Sequence, residues 1–307
     1  DMSDVALYKR VVKSEEWLRR MCEEMSREVF ESPDDGARLR IVDATIVREP
    51  GPSGSQWRIH YSVNLPSMRC DHFAITDVAG KGTRESLQHF PIAEGDHLIA
   101  DRGYCSARGI EHVIKHNADI TVRLHSSAVP LYDEHQQKID LLKRVRTMGT
   151  TRRPRSWKGW IKGNNASMIH LRLCIVKKCN QAAEATREAI RKNASKKQTI
   201  TKEATKEFAG YFMILTSTDA TTMPLKSIFK AYAMRWQVEL VFKRFKSLAQ
   251  MGHIPKYRPD SAKAWLYGKL LIAFLTEKLI DNAMRFSPWG YHIDFKEQPV
   301  SKHVERV

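Results

Sequence analysis

The sequence lacks the paired cysteines and glycine-rich loops that mark several common protein classes. Its 307 residues include five scattered cysteines with no CxxC pair, so neither a zinc ribbon nor a disulfide framework is indicated. No GxGxxG or GxxxxGK(S/T) motif is present, which argues against a dinucleotide-binding or P-loop fold. Reduced thiols fit a cytosolic or nucleoid setting, so we expect a cytoplasmic, nucleoid-associated protein.

Long uninterrupted apolar runs and an excess of acidic residues are also missing. The most apolar stretch, WLYGKLLIAFLTEKLI (265–280), contains Lys269, Glu277 and Lys278, so it predicts a buried helix rather than a membrane span. Lysine and arginine number 51 against 35 aspartates and glutamates, a net charge of +16. This balance favours a polyanionic partner, nucleic acid above a membrane surface, although a merely soluble basic protein would carry the same charge. The chain begins with Asp1 and not Met, which is compatible with a piece of a longer protein.

Hydrophobic patterning predicts an α/β core with an insertion. Three strand-like runs precede the first core helix, and strands and helices then alternate, which favours a mixed sheet. The predicted elements are a helix over 1–30; strands at 39–49, 56–65 and 70–78; a short helix capped by Thr83; a strand from 97; a helix capped by Ser106; strands at 119–124 and 209–218; and helices at 224–251 and 261–285. The predicted organisation is an N-terminal helical segment (1–35), a split catalytic core (36–124 and 208–285), an insertion (125–207) and a C-terminal tail (286–307).

Two aspartates stand where strands are expected to be buried. Asp43 interrupts IVDATIV, and Asp101 ends HLIAD. A carboxylate in such a place is costly unless it is paired, hydrogen-bonded or bound to a metal. A single case is usually structural, but two at equivalent strand positions point to a site. Asp77 and Asp96 are weaker candidates, because one ends a strand without a matching motif and the other lies in a loop.

The segment YAMRWQVELVFKRFKSL (232–248) places one acid, Glu239, among four cations. At about 100° per residue, Tyr232, Arg235, Glu239 and Lys246 share an arc of about 60°, with Lys243 beside it. The predicted buried stripe consists of Met234, Val238, Val241, Phe242 and Phe245. The alternative is a solvated face with an ordinary Arg235–Glu239 pair at i, i+4.

Taken together, the three acids predict a divalent-metal site. Mg²⁺ and Mn²⁺ prefer oxygen ligands, and two such ions catalyse in-line displacement at phosphorus. Asp43 and Asp101 from neighbouring strands, with Glu239 from a helix over the sheet, would supply a site for two Mg²⁺ (or Mn²⁺) ions. The nearby cations would hold phosphates.

The spacing Tyr232-x2-Arg235-x3-Glu239-x6-Lys246 resembles the YREK signature of DDE-type bacterial insertion-sequence transposases, which have a ribonuclease-H-like core with a mostly β insertion. VDATIV and LIADRGYCS resemble the strands of that family's two aspartates. The resemblance implies that Asp43, Asp101 and Glu239 are catalytic metal ligands and that Tyr232, Arg235 and Lys246 bind DNA. It further implies double-stranded DNA, as transposon ends and target, cut and joined through a hairpin intermediate by a homodimer.

Hairpin formation in that family uses a flipped base stacked on an aromatic ring. Trp157 and Trp160, in RPRSWKGWIKG, are the candidates, because stacking on a base contributes about 1–3 kcal/mol. Their alternative role is the small core of the insertion. Arg153 and Arg155 are candidate DNA contacts, unless they belong to a solvated basic loop.

Two other functions remain open from the residues. One is a ribonuclease-H-like nuclease that cuts without joining, and the other is a domesticated, inactive DNA-binding protein. The complete acid triad argues against the second, because carboxylates beside phosphates do not help a binder. Four histidines without ligand spacing are expected to be surface or satisfied polar groups: His60, His72, His89 and His97.

Overall fold

The computed structural model describes residues 3–31, 38–48, 56–65, 67–79, 82–164, 167–247, 250, 254 and 259–285. The predicted turn at 50–55 and the C-terminal tail at 286–307 lie outside these residues. The described α-helices and β-strands, in chain order, are α1 (Asp4–Lys13), α2 (Glu15–Phe30), β1 (Leu39–Arg48), β2 (Gln56–Asn64), β3 (Arg69–Asp77), β4 (His97–Ala100), α3 (Ala107–Lys115), β5 (Asp119–Arg123), α4 (Leu141–Arg146), β6 (Arg155–Lys162), β7 (Met168–Lys177), α5 (Asn180–Lys196), α6 (Glu203–Phe208), β8 (Tyr211–Thr216), α7 (Leu225–Ala233), α8 (Trp236–Ser247) and α9 (Pro259–Arg285).

The described residues divide into two compact units. Unit 1 holds the residues up to Ile92 and those from Arg235 onward, and unit 2 is Ala93–Met234. The boundaries between the two units, after Ile92 and after Met234, differ from the boundaries predicted for the insertion at 125–207. The division into core and insertion stays a prediction.

In unit 1, β1, β2 and β3 form an antiparallel meander covered by helices. Register places Asp43 opposite Tyr61, and Tyr61 opposite Phe73, so the three side chains lie in one row on one face. The Phe242 ring of α8 lies 5.8 Å from Tyr61, and the Phe274 ring of α9 lies 5.7 Å from Phe73. This aromatic packing brings α8 and α9 onto the face that carries Asp43.

The other face of β1 carries a buried ion pair. Arg40 is three positions from Asp43 and therefore points to the opposite side of the strand. Its Nε and Nη2 donate to the Asp71 carboxylate of β3 at 2.7 and 3.1 Å, and its Nη1 donates to the Pro91 carbonyl at 2.7 Å. The two side chains are 0% and 1% exposed, so the charges are compensated away from water.

In unit 2 the strand order is β4-β5-β8-β7-β6. β4 and β5 are parallel, whereas β8, β7 and β6 join in antiparallel pairs. As predicted, Ser106 caps α3, its hydroxyl accepting from Gly109 N at 3.1 Å. The insertion is richer in helix than expected, since α4, α5 and α6 accompany the β6–β7 hairpin. The predicted fold class, a ribonuclease-H-like mixed α/β core, is confirmed.

Three predicted helices differ from the structure. The helix over 1–30 breaks at Ser14, whose hydroxyl donates to the Val11 carbonyl at 2.7 Å. No described helix begins at Thr83, whose hydroxyl donates to the Val78 carbonyl; Ser86 instead caps a single 3₁₀ turn at Leu87–His89. The helix expected over 224–251 is two helices, α7 and α8, that meet at Met234 and Arg235.

The long helix α9 is apolar on more than one side. Leu266 and Leu270 are fully buried, whereas Ile272 and Leu279 are 59% and 68% exposed. The expectation of a buried helix therefore holds for one face only. Within the described part of the chain, no helix has the length and apolarity needed to cross a bilayer.

Candidate active site

Unit 1 brings two of the three predicted acids to one guanidinium group. Arg235 Nη1 donates to Asp43 Oδ2 at 3.2 Å, across 192 residues of chain, and its Nη2 donates to Glu239 Oε1 at 2.8 Å. The second oxygen of Asp43 accepts from Ala44 N at 2.8 Å. Arg235 thus fixes a strand carboxylate and a helix carboxylate at a common point.

Burial distinguishes this cluster from an ordinary surface pair. The i, i+4 pair of Arg235 and Glu239 is present, as the solvated-face alternative required. However, the Arg235 and Asp43 side chains are only 17% and 18% exposed, whereas Glu239 is 52% exposed. Exposed i, i+4 pairs contribute only tenths of a kcal/mol. The Arg235 guanidinium is shared between a mostly buried carboxylate and a half-exposed one, so a solvated surface pair does not describe Arg235.

The position of Glu239 follows from how α8 packs. Val238, Val241 and Phe242 are buried, as predicted, and Glu239 lies three residues before Phe242, on an adjacent position of the helix. Met234 was predicted to join this stripe but is 41% exposed. Because the chain breaks between α7 and α8 at that point, Met234 is outside the helical period of α8. The side chains of Arg244 and Phe245 lie outside the described residues.

Unit 2 positions the third acid beside a tyrosine. Asp101 directly follows β4, and its carbonyl accepts from Tyr104 N in a 3₁₀ turn. The Tyr232 hydroxyl, from α7, donates to Asp101 Oδ1 at 3.2 Å. Tyr232 is 6% exposed, and its ring meets the Phe212 ring edge-on at 5.3 Å. The phenol is therefore held by packing as well as by the carboxylate.

Tyr232 and Arg235 were predicted to bind phosphates, and this role stays a prediction. The structure adds that both polar groups contact the predicted catalytic carboxylates. The i, i+4 spacing of Arg235 and Glu239 could have revealed one of these contacts. No local signal could reveal the contacts with Asp43 and Asp101, which lie 192 and 131 residues away from their partners.

The donor set suits a hard divalent cation. Carboxylate oxygens are the ligands that Mg²⁺ and Mn²⁺ prefer, and the oxygens of Asp43 and Glu239 already converge on one positive group. Among the described residues, no three His, Cys, Asp or Glu side chains are arranged to hold a metal ion. The assignment of Asp43, Asp101 and Glu239 as metal ligands stays a prediction. Asp96 is accounted for differently, because it is buried and accepts from Ala93 N in a turn.

The two candidate tryptophans lie on opposite faces of β6. Trp157 shares its face with the buried Gly159 and Ile161, and the Arg144 guanidinium lies 5.9 Å from its ring. Trp160 shares the other face with exposed Lys158 and Lys162, and its ring lies 5.0 Å from His170. Both rings are half-buried, so neither is a plain core residue. Arg153 and Arg155 are exposed, with Arg155 Nη1 donating to the Thr147 carbonyl at 3.3 Å.

Comparisons with known proteins agree with the resemblance in the sequence. Residues 34–275 match the family Transposase DDE domain. The chain is 27% identical over 295 residues to the transposase for insertion sequence element IS421 of Escherichia coli, covering 94% of this chain and 78% of that protein. It is 25% identical over 271 residues to the transposase for insertion sequence element IS231F of Bacillus thuringiensis subsp. israelensis, covering 78% and 55%. The chain therefore belongs to the Transposase DDE domain family, is a DNA transposase of the insertion-sequence type, and is an enzyme that acts on DNA with a divalent metal.

Proposed function

We propose that this transposase cuts transposon ends and joins them to target DNA with Asp43, Asp101 and Glu239 as the ligands of two Mg²⁺ (or Mn²⁺) ions. One observation carries the proposal: Asp43 and Glu239, far apart in sequence, share the Arg235 guanidinium. Because the Asp43 side chain is only 18% exposed, its convergence with Glu239 is not explained as a solvated pair of surface charges. When bound, two such ions activate the attacking oxygen and stabilise the leaving oxygen of an in-line displacement.

The residues around the acids act as positioning groups in this proposal. Arg235 orients the carboxylates of Asp43 and Glu239 through its hydrogen bonds, and the Tyr232 hydroxyl orients that of Asp101. Partners of this kind orient ligating carboxylates, and their loss commonly costs about 10–100-fold in metal affinity or activity. Both residues can also contact a phosphate while keeping this role, since the guanidinium has five donors and the phenol can also accept a hydrogen bond.

Exposed cations beyond Glu239 supply the DNA contacts. Lys243 and Lys246 are exposed on α8, and each neutralised phosphate adds affinity through counterion release. Trp160 is the better candidate for stacking on a flipped base in a hairpin intermediate, because its face carries the exposed Lys158 and Lys162. Trp157 is partly committed to the buried face of β6. Binding to chromosomal DNA would also make the protein nucleoid-associated.

The exposed side of α9 supports a homodimer on DNA. Trp265, Ile272, Leu275 and Leu279 are each at least 43% exposed, and their spacing of seven, three and four residues is that of a coiled-coil seam. Sedimentation of the protein with and without DNA tests this assembly.

The decisive experiment replaces Glu239 with glutamine in a cleavage assay on DNA that carries the element's ends. Glu239→Gln keeps the size of the side chain and removes its charge, so cleavage should be lost while DNA binding is unchanged or tighter. Glu188→Gln is the matched control, because Glu188 is similarly exposed (46%) and pairs with Arg191 at i, i+3 on α5. Undiminished cleavage by Glu239→Gln would refute the site.

A second substrate separates a transposase reaction from simple nuclease activity. A precleaved end with a free 3′-OH, target DNA and Mg²⁺ should yield joined product with the wild-type protein. Denaturing gels of the uncut substrate should also show the hairpin as a species of doubled strand length. Cutting without joined product would favour a nuclease that lacks strand transfer.

A further inference from the structure

Unit 2 contains a cavity of about 220 Å³ with an unusual charge balance. Of the residues that the structure describes, four cations and no aspartate or glutamate line it; the cations are Arg102, Arg123, Lys178 and Lys202. The other polar lining groups are hydroxyls, and the rest of the lining is apolar, including Phe208; the hydroxyl-bearing residues are Ser126, Ser127, Thr186, Thr205 and Tyr211. Four positive groups around one cavity that is open on one side repel one another, and an anion bound between them would relieve this repulsion.

Lys178 is the most informative of the four. It directly follows β7, is 7% exposed, and its Nζ donates to Thr186 Oγ1 at 2.9 Å. Thr186 in turn donates to the Ala182 carbonyl, so the lysine has a hydroxyl partner but no carboxylate. Burial, with repulsion from Arg123, lowers the pKa of Lys178 to about 8. A buried ammonium without a counter-charge is costly, and at pH 7 this one is still mainly charged.

The other three cations also line this cavity, and no carboxylate of the described residues pairs with them. The Arg123 guanidinium lies 5.3 Å from the Phe212 ring, an arrangement that leaves its hydrogen-bond donors available. Lys202 immediately precedes α6, and Arg102 immediately follows Asp101. In the described part of the chain, none of the four cations forms a salt bridge with a carboxylate.

We propose that this cavity binds a phosphate group of the DNA backbone, held by Lys178, Arg123, Arg102 and Lys202. A phosphate presents several acceptor oxygens, which suits a lining of cations and hydroxyl groups better than a single carboxylate would. The DNA backbone is the favoured source, because the enzyme acts on DNA and Arg102 adjoins the proposed catalytic Asp101. Free inorganic phosphate or pyrophosphate offers the same chemistry. The identity of the polymer rests on the proposed function, whereas the anion site rests on the cavity alone.

The test measures how DNA binding depends on salt. Lys178→Met removes the charge but keeps an apolar side chain, and Lys202→Met does so at an exposed position where folding is not at risk. Lys192→Met is the matched control, since Lys192 is on α5 with Thr186 but is 72% exposed and outside the cavity. Fluorescence anisotropy with duplex DNA over a range of NaCl should show the slope of log K against log[NaCl] reduced by about 0.9 in each cavity variant, the value for one phosphate.

A parallel arm uses inorganic pyrophosphate and thermal melting. Reduced slopes in both cavity variants, with Lys192→Met unchanged, support the DNA phosphate. Equal slopes, with pyrophosphate raising the Tm of the wild type but not of Lys178→Met, would show a site for free phosphate and overturn the DNA assignment. Equal slopes without any pyrophosphate effect, or an equal loss in Lys192→Met, would overturn the site. Because these readouts need no cleavage, a failure of the Glu239→Gln test leaves them interpretable.

Discussion

The buried pair of Arg40 and Asp71 allows a quantitative test of how β1 is held in place. Asp71→Ala would leave a guanidinium that is 0% exposed without its carboxylate, with the Pro91 carbonyl at 2.7 Å and the Phe30 ring at 5.0 Å still beside it. Removing one partner of a buried ion pair costs about 3–5 kcal/mol. At about 2–4 °C per kcal/mol for a domain of this size, the Tm should fall by about 6–20 °C.

Calorimetry of three variants separates the buried pair from general effects of charge. Asp71→Ala should show the full loss of stability, and Arg40→Met combined with Asp71→Leu should recover most of it, because apolar replacement of a whole buried pair is often neutral or stabilising. Glu28→Gln breaks the exposed pair with Lys278, whose side chains are 49% and 42% exposed, and should leave the Tm unchanged.

The same variants distinguish a structural acid from a catalytic one. Well below its Tm, Asp71→Ala should retain DNA cleavage, because Arg40 and Asp71 form their pair on the face of β1 opposite Asp43. A Tm loss no larger than that of Glu28→Gln would show that the pair is not compensated burial, and the reasoning about this face would be wrong.

Three further predictions address the site, acid stability and DNA contacts. Tyr232→Phe removes only the hydroxyl that donates to Asp101 Oδ1; a Mg²⁺ titration of cleavage should shift by about 10–100-fold toward higher concentration, whereas a purely structural hydroxyl would change the Tm and not the titration. Burial lowers the pKa of His60 to about 3 and of His72 to about 4. Both histidines are neutral in the folded protein and the unfolded chain above pH 6.5, so they do not make stability depend on pH there. As the pH falls from 6.5 toward those values, the unfolded chain binds a proton that the fold excludes, and each histidine lowers the free energy of unfolding by up to about 1.4 kcal/mol per pH unit. The Tm should therefore fall less steeply with acid in His60→Gln than in the wild type, and His116→Gln is the exposed control. Lys246→Ala should weaken binding to DNA and reduce the salt slope by about one phosphate contact; an unchanged slope would return Lys246 to the solvated face of α8.

Most strands and the larger helices could be predicted because their signals are local. The run at 39–49 became β1, the cap at Ser106 became the start of α3, and Asp101 lies at the end of β4 as HLIAD suggested. Each of these depends on alternation, capping or a short apolar run, which neighbouring residues determine. The same reasoning picked Asp43 as an acid in a strand that needs a partner.

The partners themselves could not be predicted, since they are distant in sequence. Nothing near Asp43 indicates Arg235, and nothing near Arg40 indicates Asp71, 31 residues later. From sequence, Asp71 and Asp43 are both single acids within strands. Only the opposite facing of their side chains, and the cation that each one meets, separates the structural pair from the candidate site. The histidines were expected to be surface or satisfied polar groups. His60 is 0% exposed and only partly satisfied, since its Nε2 lies 3.1 Å from Thr76 Oγ1 while its Nδ1 has no hydrogen-bond partner among the described residues.

The break between α7 and α8 shows where the helical period was a sound guide and where it was not. A single helix over 224–251 would place Tyr232, Arg235 and Glu239 on one face, and no glycine or proline near Met234 signals otherwise. In the structure Met234 N bonds to both the Lys230 and Ala231 carbonyls, and Arg235 O accepts from Val238 N, so the helix tightens and restarts there. The residues of the Tyr-Arg-Glu spacing therefore belong to two helices. Tyr232 from α7 donates to Asp101, and Arg235, just before α8, donates to Asp43 and Glu239. The spacing of Tyr232, Arg235 and Glu239 is therefore explained by the carboxylates that Tyr232 and Arg235 contact, and not by one continuous helical face.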